Sequence, residues 1–307
     1  MTYPRDPNIP SLSHHTTPYK PSPTRLQTLD IWLPQHPAST PGTGTWLIYV
    51  HGGAWRDPTQ DSLCAVPTLH ALVSNHANLL HQGPIAGIAS LNYRLSPYPT
   101  HATAPSAPDD EARTVTHPSH AEDVRDALAY LCREYKIQRW IGIGHSCGAT
   151  LLLQLPLVAA VHDGIRETLQ GLVLLAGIYD IPAFLSAHAP PHCPENIATI
   201  YAAIVAGAFG KDEEVYGAVS PARSGKGALW GRYVVLGYGG EDELVEGGQR
   251  EVMLERYGEE GWVRDGEARG EKVVEVRDLT MGHDEVWEDG GQVAELIAEV
   301  VAKVGAR

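Results

Sequence analysis

Five consecutive residues, Gly144-His145-Ser146-Cys147-Gly148, spell G-x-S-x-G between an apolar run and a helical one. A serine on such a strand–turn–helix elbow stands exposed above a sheet, at the positive end of the helix that follows. Its backbone is strained there, and the flanking glycines avoid clashes with the neighbouring strand and helix. The hydroxyl is barely ionised at neutral pH, so nucleophilic chemistry at Ser146 needs a base beside it. A second glycine-rich stretch, His51-Gly52-Gly53-Ala54-Trp55, follows another apolar run. Glycines let its backbone approach a substrate and aim N–H groups at a developing negative oxygen. The oxyanion loop is therefore expected at Gly52, Gly53 and Ala54, joined by the N–H of Cys147 just after the serine. His51 would orient that loop rather than react. These two stretches read as machinery for acyl transfer.

The elements that must position them alternate between short β-rich runs and helical stretches, the pattern of a mostly parallel sheet covered by helices. Strands are expected over 29–33, 45–50, 85–93, 140–144, 172–176, 233–236 and 272–276. The run 45–50 (TWLIYV) delivers the glycine loop, and 140–144 delivers the serine elbow. Helices are expected over 63–80, 120–135 and 147–155. Val124, Leu128 and Leu131 mark the second by their i, i+4, i+7 spacing. Val293, Leu296, Ile297, Val300, Val301 and Val304 form the apolar stripe of a closing helix. Residues 1–25 read as an irregular arm and 26–307 as one domain. Residues 96–118 form a long surface excursion, and 181–218 have the composition of a cap inserted in the sheet.

A serine elbow on a mostly parallel sheet flanked by helices, with a small cap insertion, is the α/β-hydrolase arrangement. Its triad partners follow in the order serine, acid, histidine. The chain has 15 histidines, yet only His283 lies beyond His192, a short loop after the last expected strand. It is the expected base. The penultimate strand leads to Glu241, Asp242 and Glu243, three carboxylates in a row. Asp242 is selected because Gly-x-x-Asp-x-Leu-Val, here 239–245, is the recurrent form of this loop in such hydrolases. A carboxylate against the imidazole fixes its tautomer and stabilises the imidazolium.

Composition limits the partners. The net charge is −14, concentrated in the last third of the chain, so phosphate backbones and anionic lipid are repelled. No nucleic acid and no membrane partner is expected. The first 25 residues carry six prolines and no apolar core of a secretory signal. No apolar run approaches the roughly 20 residues that span a bilayer. Cys64, Cys132, Cys147 and Cys193 are scattered, as free thiols of a reducing compartment are, so a cytoplasmic location is expected. Neither a metal-ligand cluster nor a cofactor motif is visible, and a homodimer stays open.

His51-Gly52-Gly53-Ala54-Trp55, Asn92-Tyr93-Arg94-Leu95-Ser96-Pro97, Gly144-His145-Ser146-Cys147-Gly148-Ala149 and Gly282-His283-Asp284 together resemble a kynurenine formamidase of the α/β-hydrolase superfamily. The stretch 51–58, H-G-G-A-W-R-D-P, is similar to the fungal type. The resemblance covers residues from about 26 to the end. It implies hydrolysis of N-formyl-L-kynurenine to kynurenine and formate in tryptophan catabolism, without metal or organic cofactor. It also implies Ser146 as nucleophile, Asp242 as acid, His283 as base and the loop 52–55 as oxyanion hole and pocket edge. The substrate would be a small aryl formamide, with water as second reactant. Trp55, Tyr179, Phe184 and Trp287 are candidates to flank its ring, and Arg56 could meet its carboxylate or pair with Asp57. The rival activity is a carboxylesterase acting on small acyl esters, since H-G-G-x-W and Y-R-L-S-P occur there too. A non-catalytic ligand-binding receptor on the same fold is the alternative from another class, and the retained His283 counts against it.

Overall fold

The computed structural model describes residues 5–36, 43–158, 163–264 and 272–305. Among the described residues, nine strands form one sheet in the order β1-β2-β4-β3-β5-β6-β7-β9-β8. In chain order they are β1 (Leu12–Pro18), β2 (Thr28–Pro34), β3 (Thr45–Val50), β4 (Ile85–Leu91), β5 (Trp140–His145), β6 (Leu169–Leu175), β7 (Tyr233–Gly239), β8 (Val263–Arg264) and β9 (Val273–Leu279). From β4 to β8 every neighbouring pair is parallel, whereas β2 runs antiparallel to both β1 and β4. Parallel strands buried on both faces read as continuous apolar runs, and all six residues of β3 and all seven of β6 are buried.

Alternate residues of each strand feed two separate cores. Trp46, Ile48 and Val50 join one, and Leu47 and Tyr49 the other. The first core is covered by α3 (Ser119–Tyr135), α4 (Cys147–Gln154), α5 (Asp163–Thr168) and α9 (Gly248–Glu259), through Leu128, Leu151, Ile165 and Tyr257 among others. The second is covered by α1 (Val66–Asn75), α10 (Glu285–Asp289) and α11 (Gly291–Gly305). All six residues of the expected closing stripe are buried in α11. Each fully buried Leu, Ile or Val contributes about 1.5–3 kcal/mol, so the helices are held by their apolar faces rather than by propensity.

Three expectations are corrected here. The arm 1–25 is not wholly irregular, because Leu12–Pro18 pairs with β2 as an edge strand. Its sequence LSHHTTP lacks apolar alternation, since most of its side chains stay in solvent. The helix expected over 63–80 is instead a short 3-10 turn, α1 and α2 (Ala77–Leu80), interrupted where His76 leaves helical geometry. Strand β6 begins at Leu169, three residues before the expected start. Between β6 and β7 the segment 181–218 supplies α6 (Ile181–Ala187), α7 (Glu195–Phe209) and α8 (Glu213–Val219), the last ending one residue beyond. Residues 96–118 hold no helix or strand, and they carry Tyr98 over to the loop after β3.

Candidate active site

Strand β5 runs into Ser146, whose backbone sits at φ 52°, ψ −126° before α4 begins. For a residue other than glycine this conformation costs on the order of 1–3 kcal/mol and persists only where the surroundings impose it. Here the Ser146 N–H donates to Leu175 O at 2.8 Å, and Ala149 N–H returns to Ser146 O at 3.0 Å. The two flanking glycines are required by close approach. A Cβ at Gly144 would lie 2.6 Å from the Ala149 backbone, and one at Gly148 would lie 2.2 Å from Val50 O.

The loop after β3 is equally constrained. Gly53, Ala54 and Trp55 take φ of 96°, 49° and 59° in succession. Two N–H groups fold back onto Gly53 O, from Arg56 at 2.9 Å and Asp57 at 2.8 Å. Tyr93 Oη lies 3.1 Å from His51 O and 3.0 Å from Gly52 O, and its ring stacks on His51 at 4.5 Å. Trp55 N–H donates to the Cys147 sulfur at 3.3 Å, so the residue after the serine ties the glycine loop to the elbow. Burial pushes that thiol up to about 11. It stays protonated at neutral pH and offers no rival thiolate. Gly52 packs directly against the elbow, since a Cβ there would lie 3.2 Å from Ser146 Cβ.

His283 follows β9 and Asp242 follows β7, and the two meet across adjacent strands. His283 Nδ1 lies 2.8 Å from Asp242 Oδ2, with side-chain exposures of only 5% and 1%. The other carboxylate oxygen accepts the N–H groups of Leu244 at 3.0 Å and Val245 at 2.9 Å. With Nδ1–H donated to the carboxylate, Nε2 keeps its lone pair. Ser146 and His283 line one cavity of about 340 Å³, together with Gly53 and Ala54. Cys147 N–H, the first of α4, is among the donors a helix cannot satisfy internally. A serine on a strained elbow, an imidazole paired with a buried carboxylate and the backbone of the glycine loop thus border one cavity.

His145 packs against His283. Its Nε2 is 2.9 Å from His283 O, and the two rings are 4.7 Å apart. Among the described residues, His145, His283 and Asp284 also bring metal-type donor atoms within 4.8 Å of one another. Their scattered sequence positions did not disclose that grouping, and its His283 is already tied to Asp242.

The aromatic flank expected from sequence needs correction. Trp55, Tyr179 and Trp287 are 0%, 1% and 4% exposed and do not line the cavity. Trp55 stands edge-on to Phe209, the Tyr179 backbone is held by Gln249, and the indole N–H of Trp287 donates to Asp284. Of the four candidates only Phe184 lines the cavity, joined by Ile197, Ile200, Tyr201 and Ile204 of α7 and by Tyr98. The missed wall had a signal: Ile197, Ile200 and Ile204 form an i, i+3, i+7 stripe separate from the buried Tyr201, Val205 and Ala208.

The chain is 35% identical to a kynurenine formamidase-like hydrolase of Fusarium equiseti, over 91% of this chain and 90% of the relative. It belongs to the kynurenine formamidase family. A kynurenine formamidase of Aspergillus versicolor is 29% identical, over 93% of this chain and 96% of the relative. No protein-family model matches. Among solved structures, esterase B of Lactobacillus rhamnosis superposes with a TM-score of 0.67 at 15% identity, covering 98% of this chain and 89% of that one. An esterase of Pyrobaculum calidifontis gives 0.61 at 16%, covering 97% and 86%. At such identities the likeness establishes the α/β-hydrolase fold alone. The formamidase family therefore rests here on a nine-stranded, mostly parallel hydrolase sheet. No helix among the described residues is long and apolar enough to cross a membrane.

The buried histidines around this hydrolase site make its stability depend on pH. Burial lowers His51 to about 4, and His120 and His145 to about 3, against about 6.5 for a free imidazole. Below pH 6.5 the unfolded chain binds protons that the folded one refuses, so stability is complete above that pH and lost as the pH falls towards 3–4. Three such groups together give a slope of up to about 4 kcal/mol per pH unit. Tm should therefore hold steady from pH 8 to 7 and drop progressively between pH 6 and 4.5, before ordinary carboxylates titrate. A Tm flat down to pH 4.5 would mean these imidazoles are not held neutral.

Proposed function

We propose that this hydrolase converts N-formyl-L-kynurenine and water to L-kynurenine and formate, in tryptophan catabolism. The observation that carries the reading is the buried Asp242–His283 pair, 2.8 Å apart, on the cavity that Ser146 lines, in a chain whose relatives are named kynurenine formamidases. Ser146 Oγ attacks the formyl carbon while His283 Nε2 takes its proton, and the carbonyl oxygen becomes an anion facing the N–H groups of Gly53, Ala54 and Cys147. The C–N bond then breaks as the imidazolium returns that proton to the departing aryl nitrogen. A water molecule, deprotonated by His283, attacks the formyl-serine carbon; the C–Oγ bond breaks as the imidazolium returns the proton to Ser146, and formate leaves. Asp242 holds the imidazole in the required tautomer throughout.

The alternative activity, a carboxylesterase, differs in what the leaving group needs. An amide nitrogen must be protonated to depart, which demands that the pocket hold it within about 3 Å of the imidazole. The p-nitrophenolate of an activated ester leaves without a proton. Steady-state kinetics on both substrates separates the two. For N-formyl-L-kynurenine, kcat/KM is expected at about 10⁴ M⁻¹s⁻¹ or above, the lower end for enzymes on their own substrates. A value hundreds of times lower beside brisk cleavage of p-nitrophenyl acetate would assign the chain to the esterases.

A further inference from the structure

Arg56 brings a cation to the cavity. Among its described lining residues Arg56 is the only Lys or Arg, and it is half-buried there with Ser146 and His283. Its backbone belongs to the glycine loop, because Arg56 N–H closes onto Gly53 O. The guanidinium carbon sits 4.1 Å over the Tyr98 ring, and Tyr98 lines the same cavity. The acid next to it in sequence is engaged elsewhere. Asp57 Oδ1 accepts from Thr59 N at 2.8 Å and Thr59 Oγ1 at 2.7 Å, and it lies 3.6 Å from His101 Nε2. Among the described residues, no carboxylate oxygen forms an ion pair with Arg56.

A half-buried guanidinium with no ion-paired carboxylate is costly, and burial lowers its basicity here against the opposing pull of Tyr98 and Asp57. The contact with the Tyr98 ring offsets part of that cost, and a guanidinium's planar fork is able to recognise a carboxylate through two parallel N–H bonds. The cap side of the wall is of opposite character, while Asp57, Gln60 and Asp284 add polar groups to the lining. The large apolar side chains that remain exposed among the described residues, Ile197, Ile200 and Leu244, all line this one cavity. An occupant therefore needs an apolar body against the cap and one anionic group at the loop.

We propose that Arg56 is the receptor for a carboxylate carried on the leaving group of the substrate, so that the site selects amphiphilic acids over neutral aryl amides and esters. The inference builds on the reading of the site as a hydrolase acting through Ser146. The acyl carbon must sit between Ser146 and the Gly53–Ala54 loop, so a group reaching Arg56, further along that loop, is carried on the departing side. The α-carboxylate of a kynurenine-type amino acid answers to this description, as does any aryl substrate with an acidic tail.

The test uses matched substrate pairs with the full-length enzyme and with Arg56→Gln. One pair is N-formyl-L-kynurenine and N-formyl-2-aminoacetophenone, which lacks the amino-acid tail. The other is 3-(2-acetoxyphenyl)propanoate and phenyl acetate, which carries the same question on esters. The wild-type enzyme is expected to favour the acid of a pair by at least about 10-fold in kcat/KM. Arg56→Gln should bring that ratio close to one, chiefly through KM on the acid. Arg56→Lys, which keeps the charge without the fork, should restore part of it. No preference in the wild type, a preference that survives Arg56→Gln, or an equal loss on both members of a pair would each overturn the proposal. If only the esters are turned over but their acid preference depends on Arg56, the subsite stands while the formamidase reading fails.

Discussion

Ser146→Ala is expected to lower kcat by about 10⁴-fold or more on any substrate of this hydrolase. The change removes one oxygen and leaves the rest of the cavity as it is. Gly53 and Ala54 still line the cavity, and His283 still meets Asp242 at 2.8 Å. What remains can bind substrate and stabilise an anionic intermediate, but it can form no acyl-enzyme. Serine hydrolases stripped of the nucleophile retain only about 10³–10⁴-fold catalysis over water. The strained backbone at φ 52° belongs to the elbow, held by Leu175 O and Ala149 N, and alanine tolerates it about as well as serine does. Tm should therefore shift by no more than a few degrees, which separates lost chemistry from lost fold. A folded Ser146→Ala protein with a tenth of wild-type kcat would remove Ser146 from the mechanism.

The elbow was legible in the sequence because its constraints are local. Gly144 and Gly148 are dictated by atoms of Ala149 and Val50 that lie next to them, and the motif records that crowding directly. The glycine loop was legible through Gly52 and Gly53 after a buried strand, whereas the positive φ of Ala54 and Trp55 leaves no mark in residue type. The parallel strands were legible because burial on both faces demands unbroken apolar runs. The aromatic flank was not. Residue type distinguishes apolar from polar surroundings but not the core from a cavity wall, and Trp55, Tyr179 and Trp287 went to the core. The cavity wall came instead from isoleucines on α7, whose second apolar stripe is informative only once the first is known to be buried. Helix α9 leaves no clear apolar period in the sequence, because Gly248 opens it and its buried Gln249, Met253 and Tyr257 make a stripe with a polar member. That glutamine accepts from the backbone of Tyr179 and Asp180, a long-range bond with no sequence signature. Arg56 shows the same limit: its neighbour Asp57 suggested an ion pair, and a residue more than 40 positions away, Tyr98, took the guanidinium instead.

Asp242→Asn is expected to cost on the order of 10³–10⁴-fold in kcat, while Glu241→Gln and Glu243→Gln cost little. The asymmetry follows from the hydrogen bonds each carboxylate makes. Asp242 accepts on both oxygens, Oδ1 from the N–H groups of Leu244 and Val245 and Oδ2 from His283 Nδ1. Asparagine can accept on one side only. If its oxygen stays with the two backbone donors, its NH₂ faces Nδ1, which must then surrender its proton and become an acceptor. The proton moves to Nε2, and an imidazole protonated there cannot take one from Ser146. If the amide flips, NH₂ confronts two backbone N–H groups in a pocket where the Asp242 side chain is 1% exposed, and no water is at hand to relieve the clash. Either arrangement removes the base in the tautomer the chemistry needs. Glu241 is exposed, and Glu243 touches only the His283 backbone N–H at 3.4 Å through an oxygen that a glutamine also possesses. Measuring kcat and Tm for the three variants on one substrate decides the assignment. If Glu241→Gln or Glu243→Gln cripples the enzyme while Asp242→Asn keeps most of its kcat, the carboxylate that orients His283 has been misidentified, because a 2.8 Å contact to Nδ1 leaves no other route by which Asp242 could be silent.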